Sequence, residues 1–302
     1  MTSTIQSASG PVAASEAATA QYVPPPCPIC AGPGNPCFIS GPHKMYRCAE
    51  CRTAFVAPMP SPEYLADFYS NYHVGTNYAC EEKMQAHHPR QLADVRKFTG
   101  GSPGRILDVG CGKGHFLRHV ADEGIDCAGV ELSDTGAEYA RRELRLNVLQ
   151  GNIGDRKSEL GHFDTVTLWG VIEHLANPVQ VLRDAADVLR PGGHLFLHTG
   201  IGDDWFDRLL PGVNQWYDPP QHLFVFSAPG LRRCMAEAGF DTIHLDPAYH
   251  GSLTNRIIRR VRCAVVGTGL RVVCTLGGVR GGEFAMTRFP VGNHMLGVGK
   301  KR

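Results

Sequence analysis

The chain has 302 residues and a formal net charge of +1, with 43% hydrophobic and 20% charged residues. This length suffices for one sizeable core and a small appended module. The near-zero charge gives no electrostatic reason to favour nucleic acid or an acidic partner. No apolar run approaches the ~20 residues of a membrane span, and no export signal precedes the chain's apolar segments. These features predict a cytoplasmic globular protein without a transmembrane segment.

The N-terminal third divides by composition into three parts. Residues 1–24 are rich in Ser, Ala and Thr and hold few large apolar side chains, which predicts a disordered tail. Residues 25–60 are rich in Pro, Gly and Cys and too short for a hydrophobic core of their own. Residues 61–100 read as a helical connector, since "SPEYLADFYSNYH" opens on a Ser cap followed by a Pro in the first turn.

Residues 25–60 contain two CxxC pairs, which are typical of a zinc ribbon. In a chain without an export signal, such pairs favour metal over disulfides. Four thiolates complete the shell of a structural zinc ion, and zinc binding would stabilise a module of this size. The basic residues between 44 and 52 form only a thin patch, so nucleic acid is not the expected partner. The predicted zinc ligands are Cys27, Cys30, Cys48 and Cys51.

From residue 101 to 302, strand-like and helix-like segments alternate, as in a doubly wound α/β domain. The strand candidates are short, apolar and β-branched, which suits a parallel sheet covered on both faces. Between them lie helical stretches such as "GHFLRHVADEG", "DTGAEYARREL" and "VQVLRDAADVLRPGG". The predicted strands are 105–109, 126–131, 146–150, 163–169, 194–199, 241–246 and 290–298.

A glycine-rich loop follows the first of these strands. In "RILDVGCGKGHF" the glycines are Gly110, Gly112 and Gly114, and His115 stands where a dinucleotide-binding loop has its third glycine. No GK[ST] follows, so the phosphate loop of ATP- and GTP-binding proteins is also absent from this stretch. The loop predicts close approach of the main chain to a ligand that is neither a dinucleotide nor a nucleoside triphosphate.

Two acidic residues flank this loop. Asp108 ends the first strand, where a carboxylate would repel a pyrophosphate and attract an ammonium group. Glu131 ends the second strand about twenty residues later, the position from which a carboxylate accepts hydrogen bonds from a ribose. A ligand with a ribose, a cationic amino-acid end and no phosphate satisfies both acids, and S-adenosylmethionine is such a molecule.

Four motifs then resemble a known family. In order, "ILDVGCGKGHFL", "GVELSD", "FDTVTLWGVIEHL" and "VLRPGGHLFL" resemble the motifs of class I S-adenosylmethionine-dependent methyltransferases. The resemblance implies a Rossmann-like seven-stranded domain whose three loop glycines pass beneath the methionine part, with the two acids at its amino group and ribose. It further implies that Leu132 lies beside the adenine, Asn152 and Ile153 near its edge, and that Trp169 offers its main-chain carbonyl to the cofactor.

The ribbon together with "AFVAPMPSPEYLADFYSNYH" also resembles a subgroup, the zinc-binding sugar C-methyltransferases of antibiotic pathways. Compared with this subgroup, the 302 residues are expected to be too few for its additional C-terminal domain. In the subgroup the N-terminal module helps to wall the acceptor pocket. Aromatic residues of the connector are therefore either part of that wall or a helix face packed on the core; they are Tyr64, Phe68, Tyr69 and Tyr72.

Two histidines are candidates for the chemistry. His222, in "WYDPPQHLFVFS", is the predicted base, since the sugar C-methyltransferases have a His at the corresponding position; its alternative is a helix-capping histidine that orders the loop. His174, in "WGVIEHL", is either catalytic or has a structural or cofactor-loop role. Trp205, Trp216 and Tyr217 are acceptor-pocket or core residues.

The sequence thus predicts methyl transfer from S-adenosylmethionine to the oxygen or carbon of a small-molecule or sugar-like acceptor, as in natural-product or saccharide biosynthesis. An RNA or protein methyltransferase that uses the ribbon for recognition, and a non-catalytic scaffold with a degenerate domain, are the alternatives. The Arg-rich segment 256–271 is either an amphipathic insert over the pocket or a surface for an anionic partner. The oligomeric state stays open.

Overall fold

A computed structural model describes residues 23–70, 86–202, 214–247 and 293–302. The predicted tail lies almost wholly outside these ranges, as do Tyr72, Trp205 and the Arg-rich segment 256–271. Within the described ranges, no helix combines the length and the apolar character needed to cross a membrane.

Two sheets and seven α-helices make up the described part of the chain. The strands are β1 (Gly34–Ser40), β2 (His43–Cys48), β3 (Ala54–Val56), β4 (Ile106–Val109), β5 (Cys127–Glu131), β6 (Val148–Gln150), β7 (Phe163–Trp169), β8 (Leu189–Ile201), β9 (Phe224–Val225), β10 (Phe240–Asp246) and β11 (Asn293–Lys301). The helices are α1 (Pro62–Ser70), α2 (His88–Phe98), α3 (His115–Asp122), α4 (Asp134–Arg142), α5 (Ile153–Leu160), α6 (Pro178–Val188) and α7 (Ala228–Glu237), and a 3₁₀ turn (Ile172–His174) follows β7.

The larger sheet has seven strands in the order β10-β11-β8-β7-β4-β5-β6. Strands β4 to β8 are parallel, and β11 runs antiparallel to both of its neighbours. This confirms the seven-stranded Rossmann-like prediction. Since β5 and β7 lie on opposite sides of β4, the chain reverses its direction of travel across the sheet at β4. Ligands of doubly wound sheets bind at the carboxyl ends of the strands at such a point.

The fifth predicted strand is longer than the sequence indicates. It was expected over 194–199, with "RPGG" closing the preceding helix, whereas α6 ends at Val188 and β8 runs from Leu189 to Ile201. Proline and glycine normally interrupt regular structure. Here Leu189 pairs with Phe163 of β7, and His194 pairs with Lys300 of β11. Pairing with the two neighbouring strands therefore makes β8 longer than the strand predicted over 194–199.

The smaller sheet joins the predicted segment 25–60 to a later part of the chain. Its order is β1-β2-β3-β9, so its fourth strand comes from residues 224–225. Ala54 pairs with Val225 and Phe55 with Phe224, and the amide of Val56 donates to the carbonyl of Leu223 at 2.9 Å. Apolar side chains of both parts belong to one core. The cysteine-containing segment is thus continuous in packing with the larger domain rather than a separate module.

Candidate functional site

The glycine loop after β4 has the conformation that its sequence predicts. Gly110, Gly112 and Gly114 all have positive φ, at 72°, 54° and 81°, a region that side chains rarely enter. A Cβ atom on Gly110 would lie 2.7 Å from a methyl of Val171, and one on Gly114 would lie 2.7 Å from a methyl of Leu146. At Gly110 and Gly114 glycine is therefore required both by the backbone conformation and by the neighbouring side chains.

The two acids are brought together beside this loop. Asp108 is 3% exposed and accepts a hydrogen bond of 2.6 Å from the hydroxyl of Thr167. Burial, and secondarily the charge of Glu131, raise the pKa of Asp108 to about 7. Glu131 accepts hydrogen bonds from the amides of Gly112 at 2.8 Å and Ser133 at 2.7 Å, which fix its carboxylate against the loop. Such an acid pair beside exposed main chain fits S-adenosylmethionine, whose ammonium group would favour the ionised form of Asp108.

The remaining predicted cofactor residues also follow strand ends at this edge. Leu132, directly after β5, is a large apolar side chain with 39% exposure, as an adenine contact requires. Asn152 precedes α5, but Ile153 is only 2% exposed and belongs to the core, so only its main chain is available for an adenine contact. Trp169 ends β7, and its ring packs edge-on against Phe116 at 5.5 Å. The cofactor contacts of these residues stay predictions.

The two predicted catalytic histidines meet beyond the carboxyl end of β7. The ring centroids of His174 and His222 are 4.9 Å apart, and the ring of Trp216 lies 5.1 Å from that of His222. His222 is 8% exposed. Burial, and then the neighbouring His174, lower the pKa of His222 to about 3. The imidazole of His222 is therefore neutral near pH 7.

The hydrogen bonds of His174 identify its neutral tautomer. Its Nδ1 lies 2.5 Å from the carbonyl oxygen of Gln221, and the hydroxyl of Tyr69 donates to the same oxygen at 2.9 Å. A carbonyl can only accept, so we assign the proton of the imidazole to Nδ1 and its lone pair to Nε2. Tyr69, which the sequence left as either pocket wall or core, packs on the core and also contacts His174, with 3.2 Å between its hydroxyl and Nδ1.

Glu173 is a member of this site that sequence reasoning did not single out. Its side chain is 2% exposed, and burial raises its pKa. One ligand atom each from Glu173, His174 and His222 lie within 4.8 Å of one another, and we call these three residues the Glu–His–His cluster. The adjacent "EH" in the sequence was a signal for it, but sequence does not show that both side chains meet His222. The main-chain oxygen of Glu173 also accepts from the amide of Leu223 at 2.8 Å, which joins the two segments.

The Glu–His–His cluster lies next to the glycine loop. The side chain of Val171 packs against Gly110, and Val171 is three residues before His174. Strands β4 and β7, which carry the two loops, are adjacent in the sheet. The predicted cofactor side and the two histidines therefore share the carboxyl edge of the sheet at the point where its winding reverses.

The four predicted zinc ligands are also together. The sulfur atoms of Cys27 and Cys51 are 3.7 Å apart and those of Cys30 and Cys48 3.5 Å apart, and all four lie within 4.8 Å of one another. Zinc–sulfur bonds of about 2.3 Å in a tetrahedron would separate the sulfur atoms by about 3.8 Å. A disulfide would require about 2.05 Å. The thiol set thus fits a tetrahedral zinc ion and not a pair of disulfides.

The smaller sheet (β1-β2-β3-β9), which we call the cysteine sheet, supports the loop that carries His222. Arg47 of β2 donates to the carbonyl of Gly202 at 2.8 Å and to the hydroxyl of Tyr217. Tyr217 is 1% exposed, and the ring of Phe38 in β1 packs edge-on against it at 5.5 Å. Arg47, expected in a surface basic patch, is thus engaged between the two parts of the chain, and Tyr217 is a core residue.

Comparisons with known proteins agree with this geometry. Residues 84–245, more than half of the chain, match the family described as "Methyltransferase domain". The ubiquinone biosynthesis O-methyltransferase of Vibrio parahaemolyticus is 35% identical over 118 residues, which are 37% of this chain and 50% of that protein. The ubiquinone biosynthesis O-methyltransferase of Xanthomonas euvesicatoria is 29% identical over 156 residues, which are 46% of this chain and 65% of that protein. The chain thus spans about half to two thirds of the curated relatives' length.

Solved structures resemble the fold at low sequence identity. A SAM-dependent methyltransferase from Archaeoglobus fulgidus has a TM-score of 0.50 at 16% identity, with 74% of this chain and 99% of that chain covered. The magnesium protoporphyrin IX methyltransferase of Synechocystis PCC 6803 with bound SAH has a TM-score of 0.52 at 13% identity, with 80% and 100% covered. These likenesses concern the fold.

Proposed function

We propose that this chain, which belongs to the methyltransferase-domain family, transfers the methyl group of S-adenosylmethionine to a hydroxyl group of a small-molecule acceptor. The observation that carries the proposal is the close approach of half-buried His174 and buried His222 beyond the carboxyl end of β7, the strand next to the one that carries the glycine loop. Methylation of a hydroxyl requires loss of its proton, and a neutral imidazole nitrogen can accept that proton. The O-methyltransferase names of the relatives support the same acceptor atom.

We assign the cofactor to the glycine loop and the two acids. Asp108 would pair with its ammonium group, and Glu131, held by the amides of Gly112 and Ser133, would accept from its ribose hydroxyls. Leu132 would lie along the adenine. When bound, S-adenosylmethionine supplies an electrophilic methyl group, so much of the rate enhancement depends on how these residues orient it towards the acceptor.

His222 is the proposed proton acceptor in the absence of a metal ion. Its buried Nδ1 has no hydrogen-bond partner among the described residues, so this nitrogen can accept a proton from the acceptor. His174 is proposed as a positioning residue. Its Nδ1–H bonds to the carbonyl of Gln221, the residue directly before His222, and so fixes the segment that presents the base.

We further propose that the four cysteines bind a structural zinc ion. Zinc would hold the cysteine sheet, which pairs with the strand directly after His222 and contacts Tyr217 through Arg47. A sugar-like acceptor with C- or O-methylation is the second candidate. The observation in its favour is the resemblance of the cysteine segment and His222 to the zinc-binding sugar C-methyltransferases.

The test is a methyl-transfer assay with labelled S-adenosylmethionine against phenols, catechols, nucleotide sugars, bulk RNA and protein. We expect a small hydroxyl compound to be methylated, and His222→Ala to reduce kcat/KM by about 10²-fold or more while S-adenosylhomocysteine affinity is retained. His43→Ala, which removes a histidine of β2 outside the site, serves as the matched control and keeps full activity.

Three results would contradict the proposal. Unchanged turnover in His222→Ala would exclude His222 as the base. Methylation of bulk RNA or protein, with no small acceptor, would favour a macromolecular substrate. Tight S-adenosylhomocysteine binding with no transfer to any acceptor class would favour a non-catalytic scaffold.

A further inference from the structure

The Glu–His–His cluster has the composition of a metal site separate from the cysteine cluster. It combines one carboxylate and two imidazoles, all from residues that are buried or half-buried. Its members come from two segments, since Glu173 and His174 follow β7 and His222 precedes β9. The three ligand atoms lie within 4.8 Å of one another. Bonds of about 2.0–2.2 Å to a shared ion would bring them to about 3 Å, a closure within the range of side-chain rotation.

Polar atoms in this cluster lack the partners that burial normally demands. Oε2 of Glu173 and Nδ1 of His222 are both buried without a hydrogen-bond partner in the described ranges of the chain. Buried acceptors without donors are costly and uncommon in native proteins. Nor does a lysine or arginine pair with Glu173 among the residues that the structure describes. A bound cation would satisfy both atoms at once.

The third ligand, His174, is oriented by a hydrogen bond from its other ring nitrogen. Because His174 donates its Nδ1–H to the carbonyl of Gln221, its lone pair is on Nε2. Metal-binding histidines commonly donate their other ring N–H to a main-chain carbonyl or a carboxylate, which fixes tautomer and ring orientation. The hydroxyl of Tyr69 donates to the same carbonyl and so holds Gln221 in place. The supporting contacts of a metal ligand are thus already present around His174.

We infer that Glu173, His174 and His222 bind one divalent transition-metal ion, and that this ion coordinates the hydroxyl oxygen of the methyl acceptor. Two imidazoles and a carboxylate leave coordination positions open to a further oxygen ligand. A coordinated hydroxyl has a lowered pKa, so its O–H bond breaks with the proton passing to water. The oxygen then forms its bond to the methyl group as the S–CH₃ bond breaks, and no electron is gained or lost. In the metal-loaded protein His222 is a ligand, and the ion replaces it as the group that promotes proton loss.

Metal binding is tested without any acceptor, using protein whose cysteine cluster is filled with zinc. Mn²⁺ is titrated into the protein and the EPR signal of the free aqueous ion is recorded. We expect one Mn²⁺ per chain in the wild type and in His43→Ala. Glu173→Gln, which keeps the side-chain shape, and His222→Ala should each weaken binding at least tenfold. S-adenosylhomocysteine affinity equal to the wild type shows that each variant is folded.

The outcomes separate this inference from the proposed function on which its acceptor depends. No Mn²⁺ binding in the wild type, or equal binding in Glu173→Gln and His222→Ala, overturns the metal site while methyl transfer stays open. Mn²⁺ binding without transfer to any small hydroxyl compound upholds the site and contradicts the proposed function. Equal kcat for chelator-treated and Mn²⁺-loaded protein overturns the role of the ion in the reaction.

Discussion

Gly110 allows the geometry of the cofactor loop to be tested by adding a single methyl group. Gly110→Ala places a Cβ at a residue with φ of 72°, and that atom would lie 2.7 Å and 2.9 Å from the two methyl groups of Val171. Two separate penalties follow, one from the left-handed backbone and one from the clash. Since Val171 precedes the turn that carries the Glu–His–His cluster, its displacement would disturb both sides of the site.

A second glycine isolates the backbone penalty. Gly124 has φ of 74°, and a Cβ added there would meet nothing within 4 Å. Gly124→Ala should therefore cost only the strain of a left-handed alanine, about 1–2 kcal/mol. Gly110→Ala should cost that amount plus about 1–3 kcal/mol for overpacking, and hence about 2–5 kcal/mol of unfolding free energy in all.

The assay is urea unfolding together with calorimetric titration of S-adenosylhomocysteine. We expect Gly110→Ala to lose most of its affinity and Gly124→Ala to keep it. In Gly110→Ala/Val171→Ala the clashing methyl groups are gone, so the double variant should regain the overpacking part but not the strain. If Gly110→Ala matched Gly124→Ala in both stability and affinity, the close approach of Gly110 and Val171 would be refuted.

Two further predictions concern the buried acid and the cysteines. Because the folded protein raises the pKa of Asp108 from 3.8 to about 7, the folded state binds the proton more tightly, and unfolding free energy should fall as pH rises from about 4 to 7. Asp108→Asn should remove that slope in urea unfolding and weaken S-adenosylhomocysteine binding; an unchanged slope would contradict the assignment. Cys48→Ser should lose the zinc detected by elemental analysis and reduce methyl transfer more than cofactor affinity, since the cysteine sheet supports the His222 loop, whereas Cys37→Ser keeps both. Full turnover without zinc would contradict that supporting role.

Much of the larger sheet was predictable from local sequence. Most of its strands are short apolar runs bounded by turns, and all seven strands, of which five are parallel and β11 is antiparallel to both of its neighbours, overlap the predicted ones. The error at β8 shows where this reasoning ends. The run "RPGG" has the composition of a turn, yet Leu189 continues into a strand because Phe163 of the neighbouring strand pairs with it.

The smaller sheet could not be predicted in full, because one of its strands has no signal of its own. β9 has two residues, Phe224 and Val225, too few to show an alternating pattern. It becomes a strand by pairing with β3, some 170 residues earlier in the chain. Pairing between strands so far apart in sequence depends on the path of the chain through the larger domain, which no local pattern encodes.

The sequence by itself determined which residues form the predicted cofactor side of the site, whereas only the tertiary structure brought together the residues of the proposed acceptor side. Asp108 and the glycines occupy one continuous stretch, whose function depends on local backbone conformation, and Glu131 ends the adjacent strand. The Glu–His–His cluster instead requires that the turn after β7 meet the segment before β9. Sequence identified its two histidines separately. The hydrogen bond from the amide of Leu223 to the carbonyl of Glu173 and the pairing of β9 with β3 bring His222 to the other two members of the cluster. Both contacts join segments that are distant in sequence, so no local pattern encodes them.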